Sequence, residues 1–205
     1  MVKLNAKQLR SYQSSAISRQ QSKKNEIYII LDNVLDTYNI GSIFRLADAV
    51  GAKKIFLCGQ TETPPNHRIK KASINTTEWV EWEYCETAQE AVSRVKREGE
   101  RVKIIAIEQS TKSTQYNTFD YKLPVCLIVG NETTGVSKEV LEMADGIVEI
   151  PMFGVNISLN VMVSLAIVLY KVIDRSKSFG LKYKMEKEKV RKSRQLSVIS
   201  RQTFV

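Results

Sequence analysis

Three short stretches of this chain collect side chains that can hold and move charge. The first, Asn39-Ile-Gly-Ser-Ile-Phe-Arg45, offers an amide, a glycine and a guanidinium within two helical turns. The second, Gly130-Asn-Glu-Thr-Thr-Gly135, brackets the carboxylate of Glu132 between two glycines and follows an apolar run. In the third, Pro151-Met-Phe-Gly-Val-Asn-Ile-Ser-Leu-Asn160, Gly154 can bend the chain, and Ser158 and Asn160 stand at the mouth of a long apolar segment. A guanidinium stays protonated, so Arg45 suits gripping a phosphate, and a general-base role needs special surroundings. Polar groups at the mouth of a buried helix need partners. Each stretch also has a plain reading: a helix start with a surface arginine, a strand-to-helix turn, and a capped helix.

Other chemistries find little support. Neither G-x-G-x-x-G nor G-x-x-x-x-G-K-[ST] occurs, which speaks against a dinucleotide-binding Rossmann fingerprint and a P-loop. The single histidine, His67, lies in a Pro-rich stretch with no nearby nucleophile and reads as a surface residue or an RNA contact. Cys58, Cys85 and Cys126 are far apart with no C-x-x-C pair. They suggest neither a zinc site nor a disulfide framework, and a reducing cytoplasm is the expected setting. The N-terminal residues are polar and basic, with no apolar leader segment.

Positioning these residues takes alternating strands and helices. Apolar runs at 26–31, 54–58, 102–107 and 125–129 read as buried strands, with a further strand at 77–84 and a last short one at 147–150. Asn39 is expected to cap a helix that runs to Val50 and stops at Gly51. Thr87 opens a helix to Glu98, Ser137 caps one through Met143, and 157–173 forms the final helix. Residues 59–67, with Pro64-Pro65, read as a loop. Strands apolar on both faces imply a parallel sheet covered by helices on both sides. The run 157–173 is interrupted by Ser158, Asn160, Ser164 and Lys171, so a buried helix is expected there and no membrane span.

In this order the three stretches resemble motifs 1, 2 and 3 of the SpoU-type (TrmH-like) RNA ribose methyltransferases of the SPOUT superfamily, over residues 26–173. The usual motif 2 carries Glu-Gly-x-Gly, where this chain has Glu132-Thr-Thr-Gly135. The resemblance implies an enzyme that methylates a ribose 2′-hydroxyl in tRNA or rRNA with S-adenosyl-L-methionine. It implies catalytic roles for Arg45, Asn39, Glu132, Ser158 and Asn160. It puts the cofactor against Ile107, Gly130, Ile150 and Leu159, with Asn131 and Gly154 adjacent, and no metal. It further implies a deep C-terminal trefoil knot and a homodimer. The alternatives are a non-catalytic RNA-binding scaffold on the same fold, or an RNA base methyltransferase.

Charge fits an RNA partner. Of the net +9, residues 1–24 hold +6 and residues 175–205 hold +8, and removing those fourteen charges leaves the body at −5. The expected organisation is a basic extension at 1–25, a methyltransferase domain at 26–174 and a second basic extension at 175–205, with the ends meeting a polyanion. Neither DNA nor a membrane is expected as a partner.

Overall fold

A computed structural model describes residues 24–99 and 101–175. Both basic extensions lie almost wholly outside these residues. Among the described residues seven strands form one sheet: β1 (Asn25–Asp32), β2 (Ala52–Cys58), β3 (Trp82–Cys85), β4 (Lys103–Ile107), β5 (Thr114–Gln115), β6 (Val125–Gly130) and β7 (Gly146–Glu149). Their order is β3-β2-β1-β6-β4-β7-β5, and every neighbouring pair is parallel.

Strand periodicity explains why the central runs are apolar throughout. In β1, Ile27, Ile29 and Leu31 enter one core while Tyr28 and Ile30 enter the other, and β6 divides Val125, Leu127 and Val129 from Cys126 and Ile128 in the same way. One face is covered by α1 (Thr37–Val50), α2 (His67–Ser73) and α5 (Val161–Arg175). The other is covered by α3 (Ala88–Glu98) and α4 (Lys138–Met143). Among the described residues no helix is long and apolar enough to cross a membrane.

Several local expectations are corrected. Asp36, not Asn39, caps α1: it is extended, and its carboxylate accepts from Tyr38 N at 2.8 Å. That leaves the Asn39 side chain, buried in the first turn, free for other partners. The strand expected at 77–84 divides into a 3-10 turn (Thr76–Glu78) and the shorter β3, because Ile74 and Asn75 both take positive φ and turn the chain first. The loop expected at 59–67 ends at Asn66, whose side chain accepts from Arg68 N and Ile69 N and starts the unforeseen α2. Ser137 precedes α4 but gives it no side-chain cap: its Oγ donates to Asp32 at 2.7 Å instead. The last helix starts at Val161, not at residue 157, because the Asn160 side chain accepts from Met162 N and Val163 N.

α2 lies so close on α1 that only a hydrogen fits between them at Gly41. A Cβ there would stand 2.6 Å from Ala72 Cβ, 2.7 Å from Ile69 O and 3.0 Å from Ser73 N. The glycine of the first stretch is therefore a packing residue. Gly41→Ala is expected to push the helices apart and destabilise the fold by about 1–3 kcal/mol, an overpacking cost. Urea unfolding monitored by circular dichroism measures it, and an unchanged midpoint refutes the packing role.

Candidate active site

The carboxyl ends of β4, β6 and β7 open into a cavity of about 520 Å³. Open parallel sheets bind ligands at this end of their strands. Ile107, Val129, Ile150 and Leu159 supply apolar wall, and Glu108, Glu132 and Glu149 supply carboxylates. Among the described residues no lysine, arginine or histidine lines it. Among the described residues none of these carboxylates forms a salt bridge.

The loop after β6 is built to close on itself. Asn131 and Gly135 bond each other in both directions, N to O, at 3.1 and 2.9 Å. A Cβ on Gly130 would sit 2.1 Å from the Gly135 carbonyl carbon, and one on Gly135, where φ is 70°, would sit 2.2 Å from Glu108 Oε2. Both glycines are thus required by close approach. The family's middle glycine is not required here: Thr133 has no positive φ, and Asn131 Oδ1 accepts from the backbone N–H groups of Thr133 and Thr134.

This loop is tied to the turn between β1 and α1. Asn131 Nδ2 donates to Asn33 O at 2.9 Å. Glu132 accepts from Leu35 N at 3.0 Å, Asp36 N at 3.1 Å and Asn39 Nδ2 at 3.0 Å. Asn160 Nδ2 in turn donates to Asn39 Oδ1 at 3.0 Å. One hydrogen-bonded chain, Glu132–Asn39–Asn160, therefore joins all three stretches at the rim of the cavity. Partial burial works to raise the Glu132 pKa, but the donors from Leu35, Asn39 and Asp36 outweigh it, and the carboxyl is held below its ordinary value.

The expected site residues divide into groups. Ile107, Gly130, Asn131, Glu132, Ile150, Ser158, Leu159 and Asn160 line the cavity together, and Asn39 is bonded to two of them. Gly154 does not line it: the residue is exposed, and among the described residues nothing lies within 4 Å of where its Cβ would be. Arg45 does not line it either and is exposed. It follows Asn39 by six residues, about 240° around α1, so the two side chains leave the helix on different faces.

Two carboxylates went unforeseen. Glu108 accepts from Val136 N and Gln109 N at 2.9 Å each and so fixes the far side of the glycine loop. Asp32, only 2% exposed, accepts from Ser137 N and Oγ and fixes its end. The available signal was position, since each stands at or just past the carboxyl end of an apolar strand.

The model of the SpoU rRNA methylase family matches residues 26–170, a span that contains the whole chain Glu132–Asn39–Asn160. The chain belongs to this family. Its relatives include the tRNA (guanosine(18)-2′-O)-methyltransferase of Escherichia coli, 29% identical over 162 residues, which cover 78% of this chain and 68% of that one. Among solved structures, the Aquifex aeolicus TrmH/SpoU tRNA modifying enzyme superimposes with a TM-score of 0.71 at 29% identity, over 82% of this chain and 85% of that one. The AdoMet-bound rRNA methyltransferase of Sinorhizobium meliloti gives 0.68 at 32% identity, over 75% of this chain and 58% of the other. The chain thus spans less than two thirds of the latter protein. Membership in the SpoU family accounts for the parallel sheet and for the three motifs meeting at one rim.

Proposed function

We propose that this protein is an S-adenosylmethionine-dependent RNA methyltransferase acting on a ribose 2′-hydroxyl in tRNA or rRNA. The observation that carries the reading is the chain Glu132–Asn39–Asn160 at the edge of an acid-lined cavity. The residues present fit the cofactor. Apolar walls at Ile107, Ile150 and Leu159 suit an adenine ring, and carboxylates with no cationic partner among the described residues suit a ligand bearing a sulfonium and an ammonium. S-adenosylmethionine supplies an electrophilic methyl group when bound.

The chain's own residues have positioning and electrostatic work. Glu132 and Asn39 fix the rim against which the ribose is aligned, and Asn160 locks α5 to it. Ser158, exposed at the cavity mouth, can accept from or donate to the attacking hydroxyl. Arg45 grips the target phosphate, which lowers the cost of developing negative charge on the 2′-oxygen. Choice of RNA follows from the reaction, since only RNA carries that hydroxyl.

Two further features belong to this reading. A homodimer is supported by the segment before α5, where Phe153, Val155 and Ile157 are 96%, 100% and 79% exposed beside the cavity. A C-terminal trefoil knot is supported by the path of the same segment. It leaves β7 on the outer side of β4, takes a bond from Gln109 Nε2 at Ile157 O, and returns to α1 through Asn160.

Calorimetry on the purified full chain is expected to show S-adenosylmethionine binding at micromolar Kd or tighter, about −8 kcal/mol or better. Tritium from its methyl group should then appear on ribose in RNA lacking the modification. A folded protein that binds no cofactor, with or without RNA, refutes the reading.

A further inference from the structure

A second concavity, of about 650 Å³, opens near the carboxyl end of β2, away from the cofactor cavity. Its floor includes Trp82 and Tyr84 of the edge strand β3, which project to the same side of the sheet two residues apart. Trp82 packs partly on the core, whereas Tyr84 is 45% exposed and donates from its hydroxyl to Gly59 O at 3.1 Å. Gln60, Thr63 and Asn66 add polar side chains, and Glu62, the one charged lining residue among those described, accepts from Asn66 Nδ2.

Asn66 also starts α2, so a basic rim begins at the edge of this groove. α2 turns Ile69 and Ser73 inward and exposes His67, Arg68, Lys70 and Lys71. Lys70 makes one solvent-exposed contact with Glu78 at 3.8 Å. Among the described residues Arg68 and Lys71 have no carboxylate partner. On the opposite face, by contrast, Lys54 meets Glu81, Glu83 and Glu98, and Arg94 meets Glu83 and Glu90. The rim thus sets two cations that have no carboxylate partner among the described residues beside an aromatic floor.

We propose that this groove binds a single-stranded nucleotide of the substrate RNA a few positions from the one being methylated. Tyr84 and Trp82 form the stacking surface, the amides of Gln60 and Asn66 meet base edges, and Arg68 and Lys71 take the adjoining phosphates. The proposal rests on the RNA reading above. Geometry supports it: β6, at the cofactor cavity, is separated from β2 and β3 by two and three strand spacings, about 10–15 Å. A strand of RNA whose ribose enters the cavity can reach the groove a few nucleotides away. Motif 1 contributes to both ends, because Gly41 is what lets α2 seat on α1.

The test uses full-length protein with two probes, unfractionated tRNA lacking the modification and an unstructured oligoribonucleotide, read by fluorescence anisotropy across a salt series. Tyr84→Ala should weaken binding of both by about 5-fold or more with the salt slope unchanged, since stacking does not release counterions. Arg68→Ala combined with Lys71→Ala should reduce the log–log salt slope by about 1.4, at roughly 0.7 per lost single-strand contact. Both variants should keep wild-type cofactor affinity by calorimetry, which also reports that they are folded. Tyr84→Phe, which keeps the ring, should bind RNA as the wild type does and excludes a loss caused by the missing Gly59 bond. If the wild type binds and methylates RNA while these variants match it in affinity and slope, the groove inference is overturned and the methyltransferase reading stands. Competition by a protein partner at that face, with RNA affinity untouched, overturns it equally. Absence of RNA binding by the wild type overturns both.

Discussion

Arg45→Ala is expected to reduce kcat/KM on the true RNA substrate by about 100-fold or more, with thermal stability and cofactor affinity unchanged. The structure separates these quantities. α1 packs through Ile40, Ile43, Phe44 and Ala47, all buried, while Arg45 is exposed. Among the described residues it has no carboxylate partner, so truncation leaves no buried charge orphaned. Alanine is also the better helix former, and Tm should hold. Since Arg45 does not line the cavity proposed for the cofactor, calorimetry with S-adenosylmethionine should give wild-type values. Arg45→Lys divides the two roles open to the residue. If it grips a phosphate as a charge, lysine restores part of the rate; if the fork geometry is needed, lysine does not. Wild-type turnover in Arg45→Ala would make the residue an ordinary surface arginine and remove the catalytic claim from motif 1.

How much of this site could be read in advance depends on what kind of physics placed each residue. Strands β1 and β6 are legible because both faces are buried, so the whole run must be apolar. The residue types of the three motifs are legible too, and the structure brings most of them to one cavity. Their bonding is not. Asn39 read as a helix cap because asparagine suits that role. Asp36, three residues earlier, satisfies the helix start and leaves the Asn39 amide to span Glu132 and Asn160, partners 93 and 121 residues away. α2 escaped notice for a different reason: His67-Arg-Ile-Lys-Lys71 has one apolar residue, too few to show a period. What holds that helix is the steric gap at Gly41, a property of two helices in contact that neither segment displays alone. Glu108 and Asp32 carry no motif, and their work is to accept backbone donors from a loop distant in sequence.

Glu132 should show the second large effect, and its two substitutions should differ with pH. The carboxylate accepts two backbone N–H groups and the Asn39 amide while offering no donor of its own. Glu132→Ala leaves those donors to water and frees Asn39 from one side, so the rim loses its alignment. A fall of about 100-fold in kcat is expected, against only about 1–2 kcal/mol of stability, because Leu35 and Asp36 are exposed enough for water to replace the lost acceptor. Glu132→Gln keeps the shape and can leave its oxygen on Asp36 N and Asn39 Nδ2, but its NH₂ then faces the Leu35 N–H, so it should recover stability only in part. The folded carboxyl is held below its ordinary value, so its contribution is complete above the ordinary carboxylate pKa and is lost as pH falls through the lowered folded one. The stability gap between wild type and Glu132→Gln should therefore be widest near neutral pH and close below the ordinary carboxylate range. Urea titrations at a series of pH values measure that gap. A gap that stays constant into acid would mean that the charge on Glu132 contributes nothing to the rim, and that only its shape holds Asn39 in place.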